Sequence, residues 1–320
     1  MPTGTTTRIA YLHEPTDDYM GSPTDTDYKT PGLDCVVEEI GLDNALRRMR
    51  TPGDAETTAA LAGNFSGAIT VSFTLANPWW KNHVFGGPPT ANGESSAPYA
   101  YDWSVAPGEV QSSRWYTGID YSEVTAERVL KGVVFSDMQV NLTAGEPVEV
   151  TLTGFYGDEE TNATLTPGSQ PSEQATPLRF HGGSLSIPDS STVNRVQSAS
   201  LSMKTGARPQ TDTSRHPVAA VMGAVETTLN VRDVVTDTDQ LELAYGGSSA
   251  PETAVDGASA ATLDLSSPDA TGLTYDLSGV TPDTYSWEQW GDLDADAIEN
   301  TTYVVNSVTA TAESDQSEAR

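Results

Sequence analysis

Residues Gly67-Ala68-Ile69-Thr70-Val71-Ser72-Phe73-Thr74-Leu75 alternate apolar and polar side chains, and Gly223-Ala224-Val225-Glu226-Thr227-Thr228-Leu229-Asn230-Val231 alternate in nearly the same phase. Alternation with a period of two puts every second side chain on one face, the mark of a half-buried strand. Each run leads through a short connection to a similar stop, Val84-Phe85-Gly86-Gly87 in the first case and Ala244-Tyr245-Gly246-Gly247 in the second. A turn-strand-turn unit used twice predicts two related β-domains and a chain built for assembly.

Strand grammar continues on both sides of the two runs. Alternation begins near Cys35-Val36-Val37 and Ile40, while Leu42 to Arg50 fits a short helix or a loop equally well. Asn77-Pro78 ahead of Trp79 to Phe85, closed by Gly86, predicts one short helix, with Asn as cap, Pro in the first turn and Gly at the stop. Residues 133–156 read as a long hairpin turning at Ala144-Gly145-Glu146-Pro147. Thr236 to Leu243 predicts a second short helix, and further strands are expected at Ala261 to Leu265, Leu273 to Leu277 and Tyr303 to Ala310. The expected organisation is an extended N-terminal arm at 1–32, a β-domain at 33–158, a polar linker at 159–177, a second β-domain at 178–312 and a frayed tail at 313–320.

The 320 residues carry 16 basic and 45 acidic side chains, a formal net charge of −29. Such a charge strains a compact state by self-repulsion in dilute buffer. At molar salt the screening length falls to about 3 Å and most of that strain disappears. An acidic surface with Lys29, Lys81, Lys131 and Lys204 as its whole lysine set therefore reads as adaptation to a salt-rich cytoplasm, as in halophilic archaea. The same balance argues against a nucleic-acid reader, which draws on Lys and Arg to displace counterions from phosphate; residues 233 to 319 contain neither. No stretch of eighteen apolar residues is present, so no transmembrane helix is expected. The opening Met1-Pro2-Thr3-Gly4-Thr5-Thr6-Thr7 lacks the basic and apolar regions of a signal peptide, so folding in the cytoplasm is expected. Cys35, the single cysteine, reads as a small core residue.

The motifs of catalysis are missing: there is no His-Glu-x-x-His, no Gly-x-Ser-x-Gly elbow, no Walker loop and no dinucleotide fingerprint. No catalytic residue and no cofactor is therefore nominated. Asp292, Asp294 and Asp296 alternate after Gly291 with Glu299 beyond, which could supply hard oxygen ligands to calcium. Ala297 and Tyr303 stand where an EF-hand would have Gly and Glu, so a solvated acidic loop is the competing reading. Trp79, Trp80, Trp287 and Trp290 are candidate subunit-interface residues, since tryptophan is enriched at such surfaces. The same rings, with Trp115, could instead stack on sugars, which would make this a cell-surface or carbohydrate-binding β-protein of a halophile.

The layout resembles the tail tube proteins of tailed viruses over residues 35 to 310. The likeness is carried by the loop Arg50-Thr51-Pro52-Gly53 before the strand Ala68 to Leu75, by the helix at Trp79 to Phe85, and by the strand Trp115-Tyr116-Thr117-Gly118. The hairpin from Leu130-Lys131-Gly132-Val133-Val134 through Phe155, the strand set Leu178 to Met203, and the loop and strand Arg208 to Val231 complete it. What the resemblance implies is an all-β chain of two tail-tube-like β-sandwich or barrel domains, each with one short helix, plus the arm. It implies a structural virion protein, assembled in the host cytoplasm, that joins neighbours into rings. Stacked rings form a tube through which viral DNA passes without specific binding. Implied partners are the chain itself, a tape measure protein, a tail terminator and a distal tail protein. With two such domains per chain, a homotrimer with pseudo-sixfold symmetry is the preferred expectation and a hexamer the alternative. The charge places the virus among those infecting haloarchaea, and the arm and the loop at 86–112 are the candidates for contacts between rings.

Overall fold

The structure is a computed structural model that describes residues 7–24, 28–53, 55–120, 125–161, 177–188, 191–249, 251–255, 257–266 and 272–314. Most of the expected linker and most of the expected tail lie outside the described residues.

The fold is all-β, with antiparallel pairing throughout the main sheet. The first half of the chain supplies β1 (Thr7–His13), β2 (Leu33–Asp43), the small hairpin β3 (Arg47–Met49) and β4 (Ala59–Leu61), and β5 (Ser66–Thr74). A 3-10 turn at Trp79–Lys81 and the helix α1 (Asn82–Phe85) follow, then β6 (Thr90–Ala91), β7 (Tyr99–Ser104), β8 (Ser113–Asp120), β9 (Thr125–Thr143), β10 (Glu149–Tyr156) and β11 (Asp158–Glu160). The second half supplies β12 (Gly183–Ser186), β13 (Val196–Lys204), the small hairpin β14 (Arg208–Gln210) and β15 (Ala219–Val221), and β16 (Glu226–Val234). The helix α2 (Asp239–Tyr245), β17 (Ala258–Ser266), β18 (Gly272–Glu288) and β19 (Ile298–Ser314) complete it.

The strand order of the main sheet is β12-β17-β18-β19-β16-β13-β9-β10-β5-β2. Two copies of one four-strand unit are visible in it: β9-β10-β5-β2 from the first half and β18-β19-β16-β13 from the second. Each unit has a small hairpin between its first two strands in sequence and a short helix after the second. In each, the helix packs on the long strand, α1 on β9 and α2 on β18. The two units meet where β13 pairs with the C-terminal half of β9, from Ser198 opposite Thr143 to Lys204 opposite Asp137.

The duplication is real, but its register differs from the Gly-Ala match in the sequence. Alternate residues of β5 and β16 are buried in the same phase when Ser66 is set against Glu226 and Thr74 against Val234. The same separation matches Gly86 to Gly246, and both glycines end their helices in the left-handed region, at φ 93° and 72°. Gly223 and Ala224 lie before the strand, where Gly223 N donates to Thr205 O at 3.0 Å. Because that mismatch is an even number of residues, it left the alternation looking in phase.

A shared irregularity fixes the remaining equivalences. In the first unit Asp137 faces Thr153 and Phe135 faces Gly154, leaving Ser136 bulged. In the second Thr284 faces Thr302 and Pro282 faces Tyr303, leaving Asp283 bulged at the corresponding point. A bulge bends its strand and strengthens the local twist. Beyond the bend the N-terminal part of β9 leaves the main sheet and pairs with β8 and β11 in a second layer. One continuous core, including Trp80, Trp103, Trp115, Tyr275 and Tyr303, lies beneath both units.

The stretch read as an extended arm contains β1, which pairs along its length with β8. Ile9, Ala10, Tyr11 and Leu12 are all buried, and the Tyr11 ring stacks on Trp115 at 5.3 Å. Glu14, next along, is buried and accepts from Ser112 Oγ at 2.5 Å and from Gly132 N at 3.2 Å. Arg114 Nε lies 3.5 Å from it. Burial still raises the Glu14 carboxyl above its usual range, outweighing these partners. The loop at 86–112 likewise contains β7, whose Tyr101 and Trp103 are buried and which pairs with β19 of the other unit.

Candidate functional site

The main sheet is open at both units. On one side it ends at β2, which pairs only with β5 among the described residues. On the other, β18 is paired by β17 as far as Val280, and residues 281–288 pair only with β19 among the described residues. An unpaired edge is a template for another strand, and soluble proteins usually blunt or cover it. Neither edge here is blunted by lysine. Instead each exposes large apolar side chains: Val36 and Leu42 on β2 are 53% and 51% exposed, and Trp287 on β18 is 44% exposed.

β2 is held from within. Arg128 donates to Glu159 through Nε and Nη2, both at 2.8 Å, and through Nη1 to Ile40 O at 3.3 Å. Tyr156 Oη donates to Gly41 O at 2.9 Å. The pairing lowers the Glu159 carboxyl and raises the Arg128 guanidinium, each chiefly through the hydrogen bonds between them. Both partners keep their charge, and the backbone of β2 is anchored at Ile40 and Gly41.

At the other edge, Asp233 of β16 faces Glu299 of β19 and both are buried. Burial first, then the Glu299 charge, pushes Asp233 up to about 8, and burial also raises Glu299. Two carboxyls this close cannot both ionise cheaply, so the pair holds a proton near neutral pH. Tyr285 Oη donates to Glu299 Oε2 at 2.6 Å, and Trp287 Nε1 donates to Tyr285 Oη. Trp287 then stacks on Trp290 at 4.8 Å. The exposed end of β18 is thus tied to the interior by a chain of hydrogen bonds.

The four tryptophans nominated from the sequence separate. Trp79 and Trp80 are buried within one chain, packed on Tyr101 and Phe73. Trp287 and Trp290 remain at the surface, so the interface candidates narrow to these two. Trp115 is also buried. The acidic set disperses as well: Asp292, Asp294 and Asp296 sit in an exposed turn, where Asp294 N donates to Asp292 Oδ1 at 3.0 Å, while Glu299 points to Tyr285. Among the described residues no group of three or more His, Cys, Asp or Glu is placed to hold a metal ion. No helix among them is long and apolar enough to cross a membrane.

The middle of the main-sheet face turned away from the core is a band of hydroxyls and amides, bordered by Asp137, Glu149, Lys204, Glu226 and Arg232. Thr70 bonds Thr153 across β5 and β10 at 3.3 Å, Gln139 donates to Ser200 across the junction at 3.1 Å, and Thr302 donates to Asn230 at 2.8 Å. In a chain of net charge −29, this patch of hydroxyls and amides stands out from the acidic remainder. Sequence reasoning missed it because the acidic composition masks a face assembled from alternate residues of many strands. It also missed Lys81, which is fully buried between Trp80 and Trp103 and has no hydrogen-bond acceptor for Nζ among the described residues.

No curated protein matches the chain. The phage tail tube protein family matches residues 4–312, a span that takes in both four-strand units, both open edges and the first described strand. On that match, which spans nearly the whole chain, the chain belongs to the phage tail tube protein family.

Proposed function

We propose that this chain is the self-assembling subunit of a viral tail tube, three copies closing into a ring with pseudo-sixfold symmetry. The observation that carries the reading is the tandem four-strand unit: each chain brings two similar wedges and one joint between them. Head-to-tail contacts close into a ring when the rotation per unit suits, and closure removes the open edges. Rings then stack into a tube, with the exposed β3-β4 hairpin, carrying Met49 and Leu61, and its neighbour Leu46 available for contacts between them.

In this arrangement the sheet face that carries the hydroxyl and amide band lines the lumen, and the genome passes during ejection without specific binding. The subunit carries no catalytic role. It assembles in the host cytoplasm and meets a tape measure protein, a tail terminator and a distal tail protein. The acidic, lysine-poor surface supports a host with a salt-rich interior, a haloarchaeon.

Negative-stain microscopy and native mass measurement in molar salt test the reading. Rings with a central hole and a mass of three chains are expected; six chains per ring would support the hexamer, and a persistent monomer would overturn assembly altogether. The stacked pair Trp287 and Trp290 supports a second reading, a carbohydrate platform, which sugar binding by a monomer would favour.

A further inference from the structure

We propose that residues 39–43 of β2 in one copy pair antiparallel with residues 284–288 of β18 in the next copy, in the register that β13 and β9 adopt inside each chain. The inference rests on the ring reading above and specifies its seam. The template is the internal junction, where Ser200 faces Asn141, Leu201 faces Val140, Ser202 faces Gln139, Met203 faces Met138 and Lys204 faces Asp137.

Each of those residues has a counterpart on an open edge. Ile40, Gly41 and Leu42 lie opposite Ile69, Ala68 and Gly67, as Leu201, Ser202 and Met203 lie opposite Leu229, Thr228 and Thr227. Through the shared bulge, Met138, Gln139 and Val140 correspond to Tyr285, Ser286 and Trp287. Substitution into the junction places Leu42 opposite Tyr285, Gly41 opposite Ser286 and Ile40 opposite Trp287.

The chemistry of the two edges agrees with this register. Leu201, Met203, Met138 and Val140 are all buried at the internal junction. Their counterparts are apolar or aromatic, and Leu42 and Trp287 are half exposed in the single chain. Pairing would cover them and place Gly41 and Ser286 on the outward face, in line with the hydroxyl and amide band. A slip of one residue would set Trp287 opposite Gly41 or Glu39 and take Ile40 away from its apolar partner, with the pleats of the two strands out of phase. Beyond Glu39 the correspondence ends, because β2 carries a further irregularity between Val37 and Glu39 that β13 lacks. At that end Glu39 meets Glu288, which Arg232 Nη2 contacts at 3.3 Å. Like charges opposed across a seam make its closure dependent on salt.

Paired cysteines test the seam in the full chain. In a Cys35→Ser background, Gly41→Cys with Ser286→Cys is oxidised in molar salt and resolved without reductant. Gly41 has ordinary space for a Cβ, its nearest neighbour being Glu39 Oε1 at 3.5 Å. Loss of the monomer band into linked dimers and a closed trimer is expected. The slipped pairs Gly41→Cys with Thr284→Cys, and Gly41→Cys with Glu288→Cys, should link much less. Faster linking by a slipped pair overturns the register. Rings visible by microscopy with no linking in any pair overturn the seam while leaving the tube reading intact. If the Cys35→Ser protein itself forms no rings, the tube reading fails and the seam with it.

Discussion

Lys81 places an ammonium group 4.9 Å from the Trp103 ring and 5.3 Å from that of Trp80. A desolvated cation-π contact returns about 2 kcal/mol, whereas burying an unpaired ammonium costs several kcal/mol. Desolvation wins, and the Lys81 amine lies well below its usual range. A group depressed in the folded state contributes fully above its unfolded value near 10.5 and loses that contribution as pH falls through the folded value. Lys81→Met should therefore stabilise by about 1–3 kcal/mol near neutral pH, with a gain that shrinks toward pH 10, as read from denaturant melts. The buried Asp233 and Glu299 carboxyls have the opposite sign, surrounded by Asp237, Tyr285 and Tyr303. A raised group contributes fully below its unfolded value of 3.8 and loses that contribution as pH rises through about 8. Asp233→Asn should gain on the parent protein across that window, by up to about 1.4 kcal/mol per pH unit, and by a constant amount above it. Thermal melts of the two proteins at pH 6 and pH 9 would measure the difference.

Among the elements, β10 depends on one small residue. A Cβ on Gly154 would lie 2.1 Å from Val134 O, because the bulge at Ser136 brings the two backbones together. Gly154→Ala should cost about 2–4 kcal/mol, seen as a lowered unfolding midpoint. The central strands were legible because one face is buried and the other wet: β5, β13 and β16 alternate as expected, and the helix at Trp79 announced itself through its Pro and Gly. β1 was hidden because Ile9, Ala10, Tyr11 and Leu12 are buried in succession, so no alternation marks it. β18 was read at less than a third of its length, Leu273 to Leu277 out of Gly272–Glu288. Gly279 and Pro282 look like breakers, yet Gly279 takes a left-handed φ of 61° and the bulge at Asp283 lets the strand continue past Pro282.

For the whole molecule, charge and edges act together. Lowering salt from about 1 M to about 0.1 M stretches the screening length from about 3 Å to about 10 Å. Repulsion between acidic copies then reaches across a seam, so rings should dissociate in sedimentation or light scattering, and Glu39→Gln should lower the salt at which they survive. The charge behind this prediction was plain in the composition. The open edges were not, because strand order is a property of the assembled sheet, and nothing local in β13 says that it will pair with β9 and not with β2. Only the glycine stops at Gly86 and Gly246 marked the true spacing of the repeat, and the misplaced Gly-Ala match obscured it.

The β13-β9 junction also changes the arithmetic of association. A ring of six separate wedges would form at a rate and yield governed by a high power of subunit concentration, with each encounter losing about 4–15 kcal/mol of translational and rotational freedom. Here one junction in every two closes during folding, at the effective concentration of a tether. In the proposed ring, mass action then works on three bodies in place of six. Fewer collisions are needed, fewer incomplete arcs accumulate, and a dilute pool of newly made chains can still nucleate a tube.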